Sequence, residues 1–151
     1  MKQTIDAEAG DLAAPAAAAS AAAIAGPPPA NVTAQEVAKG IWWLAGQSHH
    51  SVLVEFSDHL TLIETPQNDT RALAVIAKAK ELRPDKPLTQ VVMTHHHFDH
   101  SGGVRAAIAE GLTVIAHEKA ARFVEDMVAR KHTLEPDALA RNPRPLRLEP
   151  V

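Results

Sequence analysis

Apolar and polar residues alternate regularly from Val32 onward, and the first part of this pattern predicts an antiparallel sheet. Short runs rich in β-branched and aromatic residues predict strands over 41–44, 51–56 and 59–65. Ser57 and Asp58 provide a tight hairpin turn between the second and third of these strands. Pro66 ends the third strand.

The second part of the pattern alternates helices with strands. Apolar residues at helical spacing predict a helix that begins at Asn68 or Asp69 and ends at Arg83. A buried strand over 88–94, a helix that follows Gly102-Gly103 and closes at Gly111, and a strand over 112–116 come next. A helix over 118–131 and the start of a strand at 146–148 follow them. This order predicts an α/β fold with a mixed sheet.

The first 30 residues differ in composition from the rest of the 151-residue chain. They are rich in alanine and end in Pro27-Pro28-Pro29, so we expect a disordered linker over 1–30 and a globular domain over 31–151. A weak export segment is the alternative, but three acidic residues precede the apolar run, which favours a cytoplasmic location over export. No stretch is long and apolar enough to predict a membrane span.

Composition excludes several classes of function. The net charge is −3, so no basic field attracts nucleic acid, and aromatic residues, at 3%, are too few for base stacking. The absence of cysteine excludes disulfides, thiolate zinc sites and cysteine nucleophiles. Histidine is the unusual feature: the chain has nine, and four of them lie between positions 95 and 100.

The histidine-rich segment lies between a predicted buried strand and a Gly-Gly helix start. Residues two apart at a strand end point the same way, so we expect His95, His97 and Asp99 to converge. His96 and Phe98 should then face packing, while His100 can swing back from the helix entry. Three imidazoles and one carboxylate suit zinc, or alternatively iron or manganese. A tract that binds metal loosely is the alternative.

The remaining histidines have weaker assignments. His117 is a candidate substitute ligand, or else it caps the helix that begins after it. His49 and His50 are candidate substrate contacts, with a solvated loop as the default interpretation. His59 and His132 are expected to be structural.

The motif His95-x-His97-x-Asp99-His100, after a strand and before a glycine-rich helix start, resembles the signature of the metallo-β-lactamase superfamily. The resemblance covers about residues 32–151 and implies an αββα sandwich. It implies that His95 and His97 bind one zinc, and that Asp99 and His100 bind a second. Asp99 would also act in catalysis by orienting the nucleophile.

Two departures accompany the resemblance. Glu64 stands where the family usually has Asp at a strand end, and it is a candidate for supporting the metal loop from outside the ligand set. The family's third His, bridging Asp and last His lie downstream of the motif, and we find no matching segment before Val151. We therefore expect a sandwich truncated to its first half, with part of its sheet unburied.

The resemblance implies a metal-dependent hydrolase in which metal-bound hydroxide attacks an ester, thioester or lactam carbonyl of a small molecule. It implies two zinc ions in the complete domain. The alternatives are an inactive, partial zinc-binding fragment and a half-domain completed by another chain, including self-association through the unburied half-sheet.

Overall fold

The computed structural model describes residues 30–151, so the predicted linker lies outside the described residues except for Ala30. Seven strands form one sheet in chain order. They are β1 Thr33–Ala38, β2 Ile41–Ala45, β3 Ser51–Glu55, β4 Leu60–Ile63, β5 Leu88–Met93, β6 Thr113–Ala116 and β7 Leu148–Pro150. The helices are α1 Asp69–Leu82, α2 Phe98–Ser101, α3 Val104–Ala109, α4 Ala121–Ala129, which a 3-10 turn at Glu118–Ala120 precedes, and α5 Ala138–Arg141.

The sheet has an antiparallel half and a parallel half. Strands β1 to β4 pair as an antiparallel meander, and β4 to β7 pair in parallel. The predicted hairpin at Ser57-Asp58 is confirmed, with the Phe56 amide donating to the His59 carbonyl over 2.9 Å. Together with the helices, this sheet confirms the mixed α/β class.

One face of the sheet forms the hydrophobic core. Leu53, Leu62, Val91 and Val114 lie side by side on neighbouring strands, and each is fully buried. Helix α1 covers this face with the apolar stripe that its spacing predicts, Ala72, Val75, Ile76 and Ala79, all of which belong to the same buried cluster. Burial of each of the larger side chains in this cluster contributes about 1.5–3 kcal/mol to the stability of the fold.

The opposite face carries a second apolar row. Trp43, Val52, Ile63, Val92 and Ile115 are in register across five strands, and each is partly exposed. Within residues 30–151 this row therefore lacks the cover that the helices give to the first face. The expectation of a partly unburied sheet is met in that part of the chain.

Most predicted elements are present with ends that differ by one or two residues. Asn68 caps α1, and its side chain accepts a hydrogen bond from the Arg71 amide at 3.0 Å. The predicted helix over 118–131 is instead a 3-10 turn followed by α4, which ends at Ala129. Strand β1 and helices α2 and α5 were not predicted. None of the helices in residues 30–151 has the length and apolar character that a bilayer crossing requires.

Helix α2 packs on the segment between β4 and α1 with backbone against backbone. A Cβ atom on Gly102 would lie 2.1 Å from the Gln67 carbonyl oxygen, and one on Gly103 would lie 2.2 Å from the Ala72 Cβ. The Gly103 amide also donates to the Thr65 carbonyl over 2.9 Å. Both glycines have negative φ, which any residue can adopt. The close contact therefore requires the absence of a side chain at these positions and not the backbone freedom of glycine.

We expect Gly102→Ala to destabilise the fold by about 1–3 kcal/mol, the usual cost of inserting a methyl group where no space exists. Chemical denaturation measures this cost. The matched control is Ser57→Ala, in an exposed hairpin turn, which should leave the unfolding midpoint nearly unchanged. Equal midpoints for wild type and Gly102→Ala would contradict the close packing.

A buried ion pair ties the C-terminal segment to α3. The Arg105 guanidinium donates to both carboxylate oxygens of Asp137, and one of these bonds spans 3.1 Å. Asp137 also caps α5 by accepting from the Ala140 amide at 2.9 Å. The hydrogen bond from Arg105 is the largest cause that lowers the pKa of Asp137 below its usual 3.8.

We expect Asp137→Ala to cost about 3 kcal/mol at neutral pH, because it leaves the Arg105 charge buried without its partner. A carboxylate with a lowered folded-state pKa stabilises the fold above its unfolded pKa, and this contribution is lost as the pH falls through the folded pKa. The difference between wild type and variant should therefore have its full size at about pH 5 and shrink progressively as the pH falls further.

Denaturation curves at several pH values measure that difference. The control is Asp85→Ala, which removes an exposed partner of Arg83 and should change stability little. A difference between wild type and Asp137→Ala that grows on acidification would contradict the assignment.

Candidate metal centre

The histidine-rich segment lies at one edge of the sheet, where the parallel strands have their carboxyl ends. Glu64 follows β4, Thr94 follows β5, and His117 follows β6. Strand β2 runs in the same direction as β4, because two antiparallel pairings separate them. The loop that joins β2 to β3, residues 46–50, therefore reaches the same edge. In sheets of this kind ligands bind at the carboxyl ends of the strands.

The side chains of the motif converge by a different route from the one predicted. Strand β5 ends at Met93, and the chain turns through 94–97 before α2 begins at Phe98. The His97 carbonyl accepts from the His100 and Ser101 amides at 3.0 and 2.8 Å. A turn and one turn of helix, not the alternation of a continuing strand, therefore bring His95 and Asp99 each close to His100.

Two groups of donor atoms lie close enough together to hold a metal ion within the described part of the chain. One consists of Glu64, His95 and His100, and the other of His49, Asp99 and His100. In each group the donor atoms lie within 4.8 Å of one another. His100 belongs to both, so the structure brings three of the four predicted ligands together.

The fourth predicted ligand, His97, belongs to neither group among residues 30–151. Its ring centroid lies 4.9 Å from that of His95, and its side chain is exposed at the rim. His96, which was predicted to face packing, contacts Phe123 and His97, with ring centroids 5.5 and 5.0 Å apart, but its side chain is exposed. The prediction that Phe98 packs is wrong. Phe98 is 74% exposed, because it begins α2 on the side that faces away from the core.

Glu64 is hydrogen-bonded to the first residue after β5. Its Oε1 accepts a hydrogen bond from the Thr94 amide at 2.9 Å, and its side chain is almost completely buried. The other oxygen, Oε2, lies 3.1 Å from His100 Nδ1, although the geometry of that contact is not that of a hydrogen bond. A buried carboxylate oxygen without a hydrogen-bond partner in residues 30–151, beside two imidazoles, fits a cation at this place.

Backbone strain is concentrated at the same edge. Three non-glycine residues in the described chain have positive φ: Gln47, Glu64 and Gln67, with φ values of 54°, 71° and 67°. Each lies in a loop that borders the donor groups. Such conformations cost about 1–3 kcal/mol each and persist where the surrounding structure enforces them, which is typical of functional sites.

The other histidines lie outside the donor groups of residues 30–151. His117 caps the 3-10 turn through Nδ1, which accepts from the Lys119 amide at 3.2 Å, so the capping alternative is confirmed. His59 stacks on Phe56 in the hairpin, with ring centroids 4.8 Å apart. His132 Nε2 lies 3.4 Å from Asp137 Oδ2, beyond the end of α4.

His49, which the sequence offers as a candidate substrate contact and not as a metal ligand, lies beside the motif. Its Nε2 lies 2.9 Å from Asp99 Oδ2, and its ring centroid is 5.4 Å from that of His100. The sequence separates His49 from the motif by more than 40 positions, so its spacing carries no signal. The topology of the sheet does give a signal, because β2 runs in the same direction as β4 and so brings residues 46–50 to the edge at which β4 and β5 end.

Two curated relatives match part of the chain. The segment shared with a linear primary-alkylsulfatase from Pseudomonas sp is 33% identical over 76 residues, which is 50% of this chain and 11% of the relative. A (R)-specific secondary-alkylsulfatase from Pseudomonas sp is 38% identical over 58 residues, 38% of this chain and 9% of the relative. The chain therefore spans about a tenth of the length of these relatives.

Solved structures share the fold at low sequence identity. The metallo-β-lactamase FIM-1 from Pseudomonas aeruginosa, in its mono-zinc form, superimposes with a TM-score of 0.56 and 24% identity over 74% of this chain and 54% of that one. A metallo-β-lactamase from Hirschia baltica gives a TM-score of 0.55 and 23% identity over 64% of this chain and 48% of that one. The chain spans about half the length of these structures, in agreement with the predicted half of a sandwich.

The family profile of the metallo-beta-lactamase superfamily matches residues 44–148. That range includes the strands β3 to β6, both donor groups and the histidine motif. The chain belongs to the metallo-beta-lactamase superfamily.

Proposed function

We propose that this chain carries the metal-binding residues of a hydrolase that cleaves an ester, thioester or lactam bond in a small molecule. The observation that carries the proposal is the convergence of Glu64, His95, Asp99 and His100 at the carboxyl ends of β4 and β5. Membership of a superfamily of hydrolases supports the same reaction class.

The proposed ligands follow the motif. His95 and His97 hold one zinc ion, and Asp99 and His100 hold the second. His97 is exposed and adjacent to His95, so a rotamer change of the kind that exposed side chains make readily can bring it to the metal. When bound, zinc lowers the pKa of a coordinated water to about 7 and so supplies a nucleophile at neutral pH. The donors also accept iron or manganese.

The chain's own residues would position the reacting groups. The Asp99 carboxylate is 28% exposed, so it can accept a hydrogen bond from the attacking water and orient it. Glu64 accepts a hydrogen bond from the Thr94 amide, and its other oxygen lies 3.1 Å from His100 Nδ1. A small rotation of the imidazole would turn this contact into a hydrogen bond and so direct the opposite ring nitrogen, Nε2, toward the metal. Buried Glu64 would thus hold a partly buried ligand in place.

Sulfate esters are a second candidate substrate class. Both curated relatives carry names of alkylsulfatases, and the matched segments are 33% and 38% identical to this chain. Hydrolysis of an alkyl sulfate also requires a water nucleophile and a site for the departing oxyanion, so the same donor set can serve it. The choice between acyl and sulfate esters depends on residues around the substrate.

Two alternatives concern the state of the chain. An inert module would bind metal without turnover. A half-domain would complete its site by pairing the exposed row from Trp43 to Ile115 with another chain, and self-association is the simplest case. Activity that rises more steeply than in proportion to protein concentration would support the half-domain.

We expect His97→Ala to weaken zinc binding by at least about 100-fold and to abolish hydrolysis, because direct ligands matter more than outer-sphere partners, whose loss costs 10–100-fold. His96→Ala is the matched control, since its ring packs against Phe123. It should leave zinc affinity within error. Equilibrium dialysis with elemental analysis measures both.

Hydrolysis by the zinc-loaded protein is measured with three substrates: an aryl acetate, a β-lactam and a linear alkyl sulfate. The proposal predicts turnover of at least one of them by the zinc-loaded protein and none after removal of zinc with a chelator. Equal losses of zinc from His96→Ala and His97→Ala would refute the ligand assignment. Chelator-insensitive turnover would refute metal-dependent hydrolysis.

A further inference from the structure

We propose that His49 is a further metal ligand. With Asp99 and His100 it forms a three-donor site for a divalent cation, and this inference rests on the proposed metal-dependent function. The superfamily motif does not include His49, which comes from the loop between β2 and β3. The second metal ion would thus be bound by a residue of the β2–β3 loop as well as by Asp99 and His100 of the motif.

The three donor atoms have the spacing of a metal site. His49 Nε2 and His100 Nε2 lie 2.9 and 3.8 Å from the same oxygen, Asp99 Oδ2. In tetrahedral zinc sites the bond lengths of 2.0–2.2 Å place neighbouring ligand atoms about 3.3 Å apart. The two observed distances bracket that value, so small rotations of the side chains suffice to bind the cation.

Both imidazoles present the same nitrogen to Asp99. His49 Nδ1 is hydrogen-bonded to Ser48 Oγ at 2.8 Å, and His100 Nδ1 faces Glu64 Oε2 at 3.1 Å. In each ring an oxygen therefore occupies the Nδ1 side, and Nε2 points to the shared carboxylate. A hydrogen bond at the distal nitrogen is what metal-bound histidines usually have, because it fixes the tautomer and the ring direction, and His49 has one through Ser48 Oγ.

Contacts from Arg71 and Gln67 hold the loop that carries His49 in place. The fully buried Arg71 donates from Nη2 to the His49 carbonyl over 3.3 Å. Gln67 donates from Nε2 to Ser48 Oγ over 3.0 Å. At Gly46 a Cβ atom would lie 2.4 Å from Arg71 Nη1, so the loop lies directly on the guanidinium. His49 is therefore positioned at the site by contacts from buried Arg71 and from Gln67.

The neighbouring histidine provides the contrast. His50 Nδ1 accepts from the Gly46 amide at 3.4 Å, and its ring lies edge-on to Trp43 with centroids 4.8 Å apart. In residues 30–151, His50 belongs to neither donor group. Two adjacent histidines of one loop thus differ in role, and His50 is a matched control.

The test uses cobalt(II) as the probe and cysteine as the reporter. The chain contains no cysteine, so His49→Cys introduces its sole thiol. A thiolate bound to cobalt(II) produces an intense sulfur-to-cobalt charge-transfer band in the near ultraviolet, which a thiol that only packs or donates a hydrogen bond does not produce. We expect the band in cobalt-loaded His49→Cys, and no band in His50→Cys.

A second variant measures affinity. His49→Ala should weaken cobalt binding by at least about 100-fold, beyond the 10–100-fold loss typical of partners that do not touch the metal. His50→Ala should bind as wild type does. Circular dichroism verifies that all variants are folded. Absence of the band in a folded, cobalt-bound His49→Cys, or wild-type affinity in His49→Ala, would overturn the proposal, as would absence of cobalt binding by the wild type.

These readouts separate the inference from the proposed function. The band together with absence of hydrolysis would support His49 as a ligand and refute the hydrolase. Hydrolysis that depends on His97, without the band, would retain the hydrolase and overturn the role of His49.

Discussion

The parallel pairing of β4 with β5 is the constraint on which the rest of this structure depends. It brings Glu64 and Thr94 to the same edge, where a carboxylate oxygen and a backbone amide join over 2.9 Å. Parallel neighbours require a long crossover connection, and α1 provides it while it covers the core. The hydrogen bond from the Thr94 amide to Glu64 fixes the position of Thr94, after which the histidine-rich segment begins. His95, Asp99 and His100 are partly buried, whereas Glu64, which holds Thr94, is almost completely buried.

The supports of the site come from three separate segments that meet at Gln67. The Gln67 side chain donates to Ser48 of the β2–β3 loop, and its carbonyl lies against Gly102 of the motif. Gln67 also has a positive φ of 67°. One strained residue thus contacts both the loop that carries His49 and the residue that follows the helix that carries Asp99 and His100.

Much of the fold was predictable because its signals are local. The spacing of Ala72, Val75 and Ile76 and the cap at Asn68 determine α1, and the hairpin needs only Ser57 and Asp58. Strand β1 was not predicted, since all its residues are exposed and its partner is β2 alone among the described strands. Its sequence has no apolar alternation for a pattern to detect.

The candidate site was predictable only in part, for a related reason. His95, Asp99 and His100 are near one another in sequence, so a motif can identify them. The assumed geometry was wrong because the chain leaves β5 at Met93, and a turn and α2 then change the direction of each side chain. His49 comes to the site through the topology of the sheet, which no short motif contains.

The most direct test of this account is the zinc content of the folded wild-type chain. After dialysis against a weak chelator, elemental analysis and circular dichroism are carried out on the same sample. The account predicts that zinc remains bound in a stoichiometric ratio to folded protein. Folded chain that retains no zinc under these conditions would contradict it, because the donors at the edge of β4 and β5 would then be assembled for another purpose.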